Sequence, residues 1–337
     1  MVDLEAWREL VREAALAPEL PIIDCHHHLW NEAPAPVFEP YPFELALKHK
    51  TSSGHNIVAS VYLEANSHYY PDGPEHLRPV GETAYIDKMA EAAARQGGKA
   101  AGFCAGIIPH ADLTRGSAVR EVLEEHRAAS PKRLRGIRHR TPYDPDNPLH
   151  SGPEPETMKR ADFRTGMKVL TSMSLTFDAM VLHPQLPEMT DLARACPDTT
   201  IVLNHIGAPL IMGRYAGKSA EVFAQWSKSM AELATCPNVM VKIGGMNMDF
   251  TGLSFVGERR PPTSEQLAAR QRDYVLRVID LFEPQRCMFE SNFPVDMLGV
   301  SYTVVWNTFK RLTADFSAAD RAALFHDTAA RVYRLDA

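Results

Sequence analysis

Residues 21–30 read PIIDCHHHLW, a short β-branched run that passes through Asp24 and Cys25 into three consecutive histidines. Pro21 opens the run and the apolar pair Ile22 and Ile23 carries it, which is the pattern of a short buried strand. Side chains on a strand alternate faces, so Asp24, His26 and His28 are expected on one side and Ile23, Cys25, His27 and Leu29 on the other. Two imidazoles at i and i+2 stand about 6.5–7 Å apart at Cα, close enough to reach one metal ion or one substrate atom. The same pair could equally be buried, hydrogen-bonded histidines. His27, on the opposite face, is expected to be structural. A doubly wound open sheet would place a glycine-rich phosphate turn after its first strand; here the strand ends in HHHLW, which favours a barrel.

Seven further runs continue the pattern: NIVASVYLEA from 56, AGFCAGII from 101, RLRGIR from 133, LTFDAMVLH from 175, TTIVLNHIG from 199, NVMVKIGG from 238 and RCMFES from 286. Between them lie segments with helical spacing of apolar residues, at 80–96, 111–129, 186–196, 220–236 and 264–283. Eight strand-then-helix units with nearly continuous apolar strands predict an α/β fold, a distorted (β/α)8 TIM barrel whose sheet is covered on both faces. The expected organisation is one barrel domain, with residues 1–18 as an extra amphipathic helix packed outside and 19–337 as the barrel. Two Pro-rich stretches, Asn31–Gly54 and Arg140–Glu156, follow strands one and four. Loops after barrel strands form the mouth where chemistry sits, so both are expected to cover substrate, with ordinary surface loops as the alternative.

Composition narrows the partners. The chain has 337 residues, with 36 basic against 42 acidic side chains and a net charge of −6. Scattered basic residues leave no electrostatic footprint for nucleic acid or an anionic membrane. The five cysteines are far apart, without a CxxC pair, which excludes a disulfide framework or zinc ribbon and suggests a reducing, cytoplasmic setting. The first thirty residues lack a signal-peptide pattern, and no run of about 18 apolar residues exists to span a membrane. A small-molecule substrate is the remaining partner, and a homo-oligomer is possible.

Histidines recur where strands end: His26 and His28 after strand one, His183 after strand five and His205 after strand six. Scattered at random, 14 histidines would rarely converge so on one rim, which marks the active site. Strand two adds Glu64, strand four Arg138 and His139, strand seven Lys242, and strand eight Glu290 and Asn292. Arg138 is the natural fork for a substrate carboxylate or an oxyanion, and Lys242 a second binding cation. A mutual ion pair of Arg138 with Glu64 is the alternative for those two. Trp30, Tyr69, Tyr70, Met246 and Phe250 are candidates for the pocket wall, each of which could be ordinary core.

DCHHHLW from 24, RGIR from 135, VLHPQLP from 181, VLNHIGAP from 202, VKIGG from 241, MFESNFPVD from 288 and LFHDTAARVYRL from 324 together resemble the amidohydrolase superfamily, in the amidohydrolase-2 branch of sugar and pyrone dicarboxylate lactonases. The resemblance spans nearly the whole chain. It implies hydrolysis of a lactone or related carbonyl by an activated water, at a site formed by His26, His28, His183, His205 and position 292. Relatives commonly carry aspartate there and this chain has Asn292, which can orient a water but cannot act as a general base. Glu290, two residues earlier on the same face, is the expected replacement, with Asp296 behind it. The alternative for Glu290 is a salt bridge to Lys242 or Arg138. Strand four lacks a residue that could bridge two metals, leaving one Zn-like divalent ion on His26, His28 and His183, or no metal. The substrate is expected to be a carboxylate-bearing lactone. Two rivals are a metal-dependent decarboxylase of a small aromatic or unsaturated acid on the same histidines, and a non-catalytic binding barrel.

Overall fold

The computed structural model of the chain describes residues 4–146 and 154–336. Eight parallel strands alternate with helices: β1 Pro21–His27, β2 Asn56–Leu63, β3 Gly106–Ile108, β4 Gly136–Arg138, β5 Thr176–Ala179, β6 Ile201–Leu203, β7 Val239–Ile243 and β8 Cys287–Phe289. They form a three-stranded sheet, β1-β2-β3, and a five-stranded sheet, β4-β5-β6-β7-β8. Isolated parallel bridges join the two, Ile107 to Leu134 and His110 to Arg138 at one seam and His27 to Phe293 at the other. Backbone bonds such as His28 N–H to Phe293 O (2.8 Å) and Asn292 N–H to His26 O (2.9 Å) hold the second seam. The result is the expected α/β barrel, distorted because both seams are bridges in place of continuous ladders.

Helices follow the strands: α1 Leu4–Arg8, α2 Phe43–Ser52, α3 Val80–Gln96, α4 Val119–Ala129, α5 Ala161–Ser172, α6 Leu186–Ala195, α7 Ser219–Ala234, α8 Ser264–Phe282, α9 Tyr302–Leu312, α10 Ala318–Ala322 and α11 Thr328–Tyr333. None is long and apolar enough to cross a membrane. The helix foreseen at 111–129 is broken at Gly116, whose φ of 59° and ψ of −131° kink the 3-10 segment Leu113–Ala118 that precedes α4. The third strand is shorter than the run from 101 suggests. Residues 101–104 fold as a turn onto β2, with Gly102 so tight against the Val58 carbonyl that a Cβ would collide.

The N-terminal helix is five residues long, short of the stretch 1–18. After it, side chains of α9 occupy the backbone that a helix would use: Asn307 Oδ1 accepts from Leu16 N–H at 2.8 Å, and Lys310 Nζ donates to Leu16 O and Ala17 O at 2.7 and 2.8 Å. The stretch Asn31–Gly54 is half helix, because α2 lies within it. Of the stretch Arg140–Glu156, residues 147–153 lie outside the described residues; its leading limb is tied down where Arg214 pairs with Asp144 (2.6 Å) and Asp146 (3.0 Å).

The strict alternation expected of β1 is broken. Its pairing with β2 shifts register twice, between Ile22 and Ile23 and again between Asp24 and His27. A bulge rotates the side chains that follow it. Asp24 therefore lies on the helix side, accepting from Ser291 Oγ at 2.6 Å and from Tyr302 Oη of α9 at 2.9 Å. His27 lies there too, 3.0 Å from Ser60 Oγ. Cys25 packs with Val61, Val202, Met240 and Met288 instead, in a cluster floored by Ala329, Val332 and Tyr333 of α11. Burial pushes the Asp24 carboxyl up to about 6, against the pull of its Ser291 and Tyr302 hydrogen bonds.

Candidate active site

Three fully buried carboxylates organise the barrel interior: Glu64 after β2, Asp178 on β5 and Glu290 after β8. Glu64 Oε1 pairs with Arg138 Nε at 2.8 Å and Arg140 Nε at 3.2 Å, and its backbone carbonyl takes Arg138 Nη2 at 2.7 Å. Burial raises the Glu64 pKa, but the two arginines outweigh it and hold the group below the usual carboxylate range. Asp178 Oδ1 meets Lys242 Nζ at 2.7 Å and accepts from Tyr333 Oη at 2.8 Å. Glu290 differs. Its Oε1 stands 2.6 Å from His205 Nδ1 and its Oε2 2.7 Å from His26 Nδ1, and among the described residues no lysine or arginine pairs with it. The salt bridge to Lys242 or Arg138 considered for Glu290 is not formed, because both cations are taken by the other two acids.

These contacts fix where the imidazole protons sit. A carbonyl only accepts, so His28, with Nδ1 3.0 Å from Leu63 O, carries its proton on Nδ1. A guanidinium only donates, so His26, whose Nε2 lies 3.2 Å from Arg138 Nη1, also has its lone pair on Nε2. Glu290 Oε1 fixes the His205 proton on Nδ1 in the same way. Burial first, then Lys242 for His26 and Arg138 for His28, drives both pKa values well below the ordinary histidine range, so the rings are neutral. His26 Nε2 and His28 Nε2 then face each other at 3.2 Å with no proton between them. Two tetrahedral zinc ligands with bonds of 2.0–2.1 Å would be about 3.3 Å apart. His26, His205 and Glu290 also offer ligand atoms within 4.8 Å of one another, the one such group among the described residues. Facing lone pairs beside a carboxylate with no cationic partner fit a divalent ion. An ion on His26 Nε2 would displace the Arg138 N–H from it.

His183 does not join this group. Its Nδ1 accepts from Leu210 N–H at 3.1 Å, so in the neutral ring the proton lies on Nε2. Burial, opposed by Asp144, lowers its pKa to about 4. Its Nε2 is buried without a partner. The ring packs edge-on against Tyr215, centroids 4.9 Å apart. Of the expected ligand trio, His26 and His28 face one another, His183 presents a donor where a ligand needs a lone pair, and the described atoms that come within reach of one ion are those of His26, His205 and Glu290.

Local backbone explains the placement of His205. It leaves β6 at φ 54° and stands against Gly245, whose own φ is 61°. A Cβ at 245 would collide with the His205 ring. The second glycine of VKIGG therefore keeps the imidazole on Glu290.

Asn292 lies beside His26, donating from Nδ2 to Asp296 Oδ1 at 2.9 Å. Burial raises Asp296 to about 6 even with Asn292 and Asn247 donating to it. Lys242 is fully buried on Asp178, and Arg138 is largely committed to Glu64, which places both cations in the barrel scaffold. His139 is likewise structural, its Nδ1 accepting from Leu113 N–H at 3.1 Å. Trp30 is buried under the mouth, its ring stacked on His28 at 6.2 Å. Met246 and Phe250 are buried in the core. A cavity of about 630 Å³ opens among the loops after β2 and β3, with Tyr69, Asn66, Arg78, His110 and Arg115 on its wall. Tyr70 is exposed and is not on that wall. Asp178 is the interior acid that the strand reading passed over; a lone acid inside the apolar run LTFDAMVLH was its signal.

Comparison with known proteins agrees with the fold. The family profile described as amidohydrolase matches residues 23–335. The uncharacterized protein y4mH of Sinorhizobium fredii is 33% identical over 333 residues, 94% of this chain and 99% of its own. An L-fucono-1,5-lactonase of Burkholderia multivorans is 27% identical over 325 residues, 93% of this chain and 96% of the relative. The crystal structure of a Burkholderia multivorans amidohydrolase with bound zinc matches at a TM-score of 0.68 and 26% identity, covering 93% of this chain and 99% of that one.

Proposed function

The chain belongs to the amidohydrolase family, and from that premise we propose that it is a hydrolase opening a lactone ring with an activated water at the barrel mouth. The observation that carries the reading is the facing Nε2 atoms of His26 and His28 beside Glu290, which holds His205 by its Nδ1 and lies 2.7 Å from His26 Nδ1. The relatives named as a lactonase and as a zinc-bearing amidohydrolase support the substrate class and the metal. A Zn-like divalent ion would be held by His26 together with His205 and Glu290, with His28 Nε2 facing His26 Nε2, and would supply the charge that brings the pKa of water to about 7.

The chain's own groups do the rest. Glu290 holds the proton of His205 on Nδ1, and Arg138, which donates to His26 Nε2, leaves that nitrogen's lone pair unprotonated beside His28. One oxygen of Glu290 orients His205, while the other lies 2.7 Å from His26 Nδ1 without a hydrogen bond, so Glu290 combines an orienting role with the expected role of general base. His183 Nε2–H, buried and without an acceptor, serves the oxygen of the lactone carbonyl as negative charge develops there, a contribution of order 10²–10³ in rate.

The test is metal content of the purified protein together with turnover of a lactone panel, before and after chelation. A bound divalent ion, a ring-opened acid as product and loss of turnover on chelation are expected. Carbon dioxide as product would replace this reading with the decarboxylase; full activity without metal would remove the ion from it.

A further inference from the structure

Asn292 presents one half of its amide to the protein and leaves the other half unused. Its Nδ2 donates to Asp296 Oδ1 at 2.9 Å, while its Oδ1 is buried with no hydrogen-bond partner. The other oxygen of Asp296 is also occupied: Oδ2 accepts from Asn247 N–H at 3.0 Å and from Asn247 Nδ2 at 2.8 Å. Asn247 Oδ1 in turn accepts from Gln271 Nε2 of α8 at 3.2 Å. All four side chains are buried, at 1 to 4% exposure.

The chain of donors has one direction. Gln271 gives its NH2 to the Asn247 oxygen, so Asn247 turns its own NH2 to Asp296. A carboxylate can only accept, so Asp296 draws the NH2 of Asn292 and turns the Asn292 oxygen away from itself. An amide without such an anchor could rotate and offer either end. A buried acceptor left unmatched is costly and points to a ligand that completes it. Backbone bonding of Asn292 N–H to His26 O at 2.9 Å keeps that oxygen beside the histidine cluster.

We propose that Asp296 is a positioning residue that locks Asn292 as an obligate acceptor, whose Oδ1 receives an O–H of the attacking water or of a substrate hydroxyl. The inference rests on the hydrolytic reading of the site. Asp296 touches no reacting atom; it acts through the amide of Asn292.

The test is a double-mutant cycle on the lactone that the parent protein opens, with kcat, KM and thermal midpoint measured for each variant. Asp296→Asn is expected to lower kcat about 10- to 100-fold with KM within about twofold, the cost of losing an orienting partner. Asn292→Ala should do the same, and combining the two should cost no more than about another twofold, because they act as one unit. The exchange Asn292→Asp with Asp296→Asn restores a donor at 296 and an acceptor at 292, and should recover about tenfold over Asp296→Asn alone. An unchanged kcat in Asp296→Asn, or losses that multiply independently, overturns the proposal. A lower thermal midpoint without the kcat loss reduces Asp296 to a structural role and overturns it as well. If the parent opens no lactone, the hydrolytic reading fails by itself. The lock is then read by NMR from the side-chain amide protons of Asn292, which should lose protection from exchange in Asp296→Asn; unaltered protection overturns it.

Discussion

His26 and His28 present Nε2 to one another at 3.2 Å, each with its proton held on the far nitrogen. Neutral lone pairs at that distance repel unless something positive lies against them, and in this structure Arg138 Nη1 serves that purpose for His26. The pair is therefore the place where metal content, proton position and turnover are coupled.

Glu290→Gln keeps the shape of the side chain but loses the charge that lies against both imidazoles. Metal affinity and kcat should each fall about 10- to 100-fold. Elemental analysis beside kinetics checks this, and full retention of both would remove Glu290 from its orienting role.

His183→Ala tests a donor against a ligand. The proton on Nε2 predicts loss of turnover of about 10²–10³ with metal content unchanged and the protein still folded. Loss of the metal together with activity would make His183 a ligand after all, and full activity would exclude it from the site.

Gly245→Ala puts a methyl group against the His205 ring at a backbone φ of 61° that disfavours side chains. Displacing His205 from Glu290 should abolish turnover and weaken metal binding even though residue 245 carries no chemistry. Unperturbed kinetics would show that the ring tolerates a shift.

His126 gives a pH dependence of stability away from the site. It is fully buried between Thr83 Oγ1 (2.8 Å) and His110 O (3.0 Å), and burial lowers its pKa to about 4. The unfolded chain binds this proton near pH 6.5 and the folded chain does not until about 4, so the contribution is complete above 6.5 and is lost as pH falls through that window. The slope is about 1.4 kcal/mol per pH unit for one group. Denaturant melts of the parent and of His126→Gln between pH 4 and 7 should differ by that slope; parallel curves would contradict it.

Much of the fold is legible in local pattern. β1 begins and ends where PIIDCHH does, and α3 covers the 80–96 run, because burial of an apolar face is written as a period in the chain. The same strand spacing brings His26, His28 and His205 to one rim. Local pattern fails where a residue's partner comes from elsewhere: the bulge that turns Asp24 toward Tyr302, and the α9 side chains that replace helical bonds at Leu16 and Ala17. It also fails at Asp178, whose meaning depends on Lys242 from another strand.

The sequence by itself determined the barrel, the rim that bears the histidines and the exchange of an acid for Asn292. Only the tertiary structure decided which nitrogen of each ring is free. Leu210 N–H on His183 Nδ1, Leu63 O at His28 Nδ1, Arg138 on His26 Nε2 and Glu290 at His205 Nδ1 set those protons. Each partner lies more than twenty residues from its histidine in the chain, and Glu290 reaches His26 across the barrel seam. Hydrogen-bond direction is a property of a neighbour's position in space, and no spacing of residues along the chain encodes it.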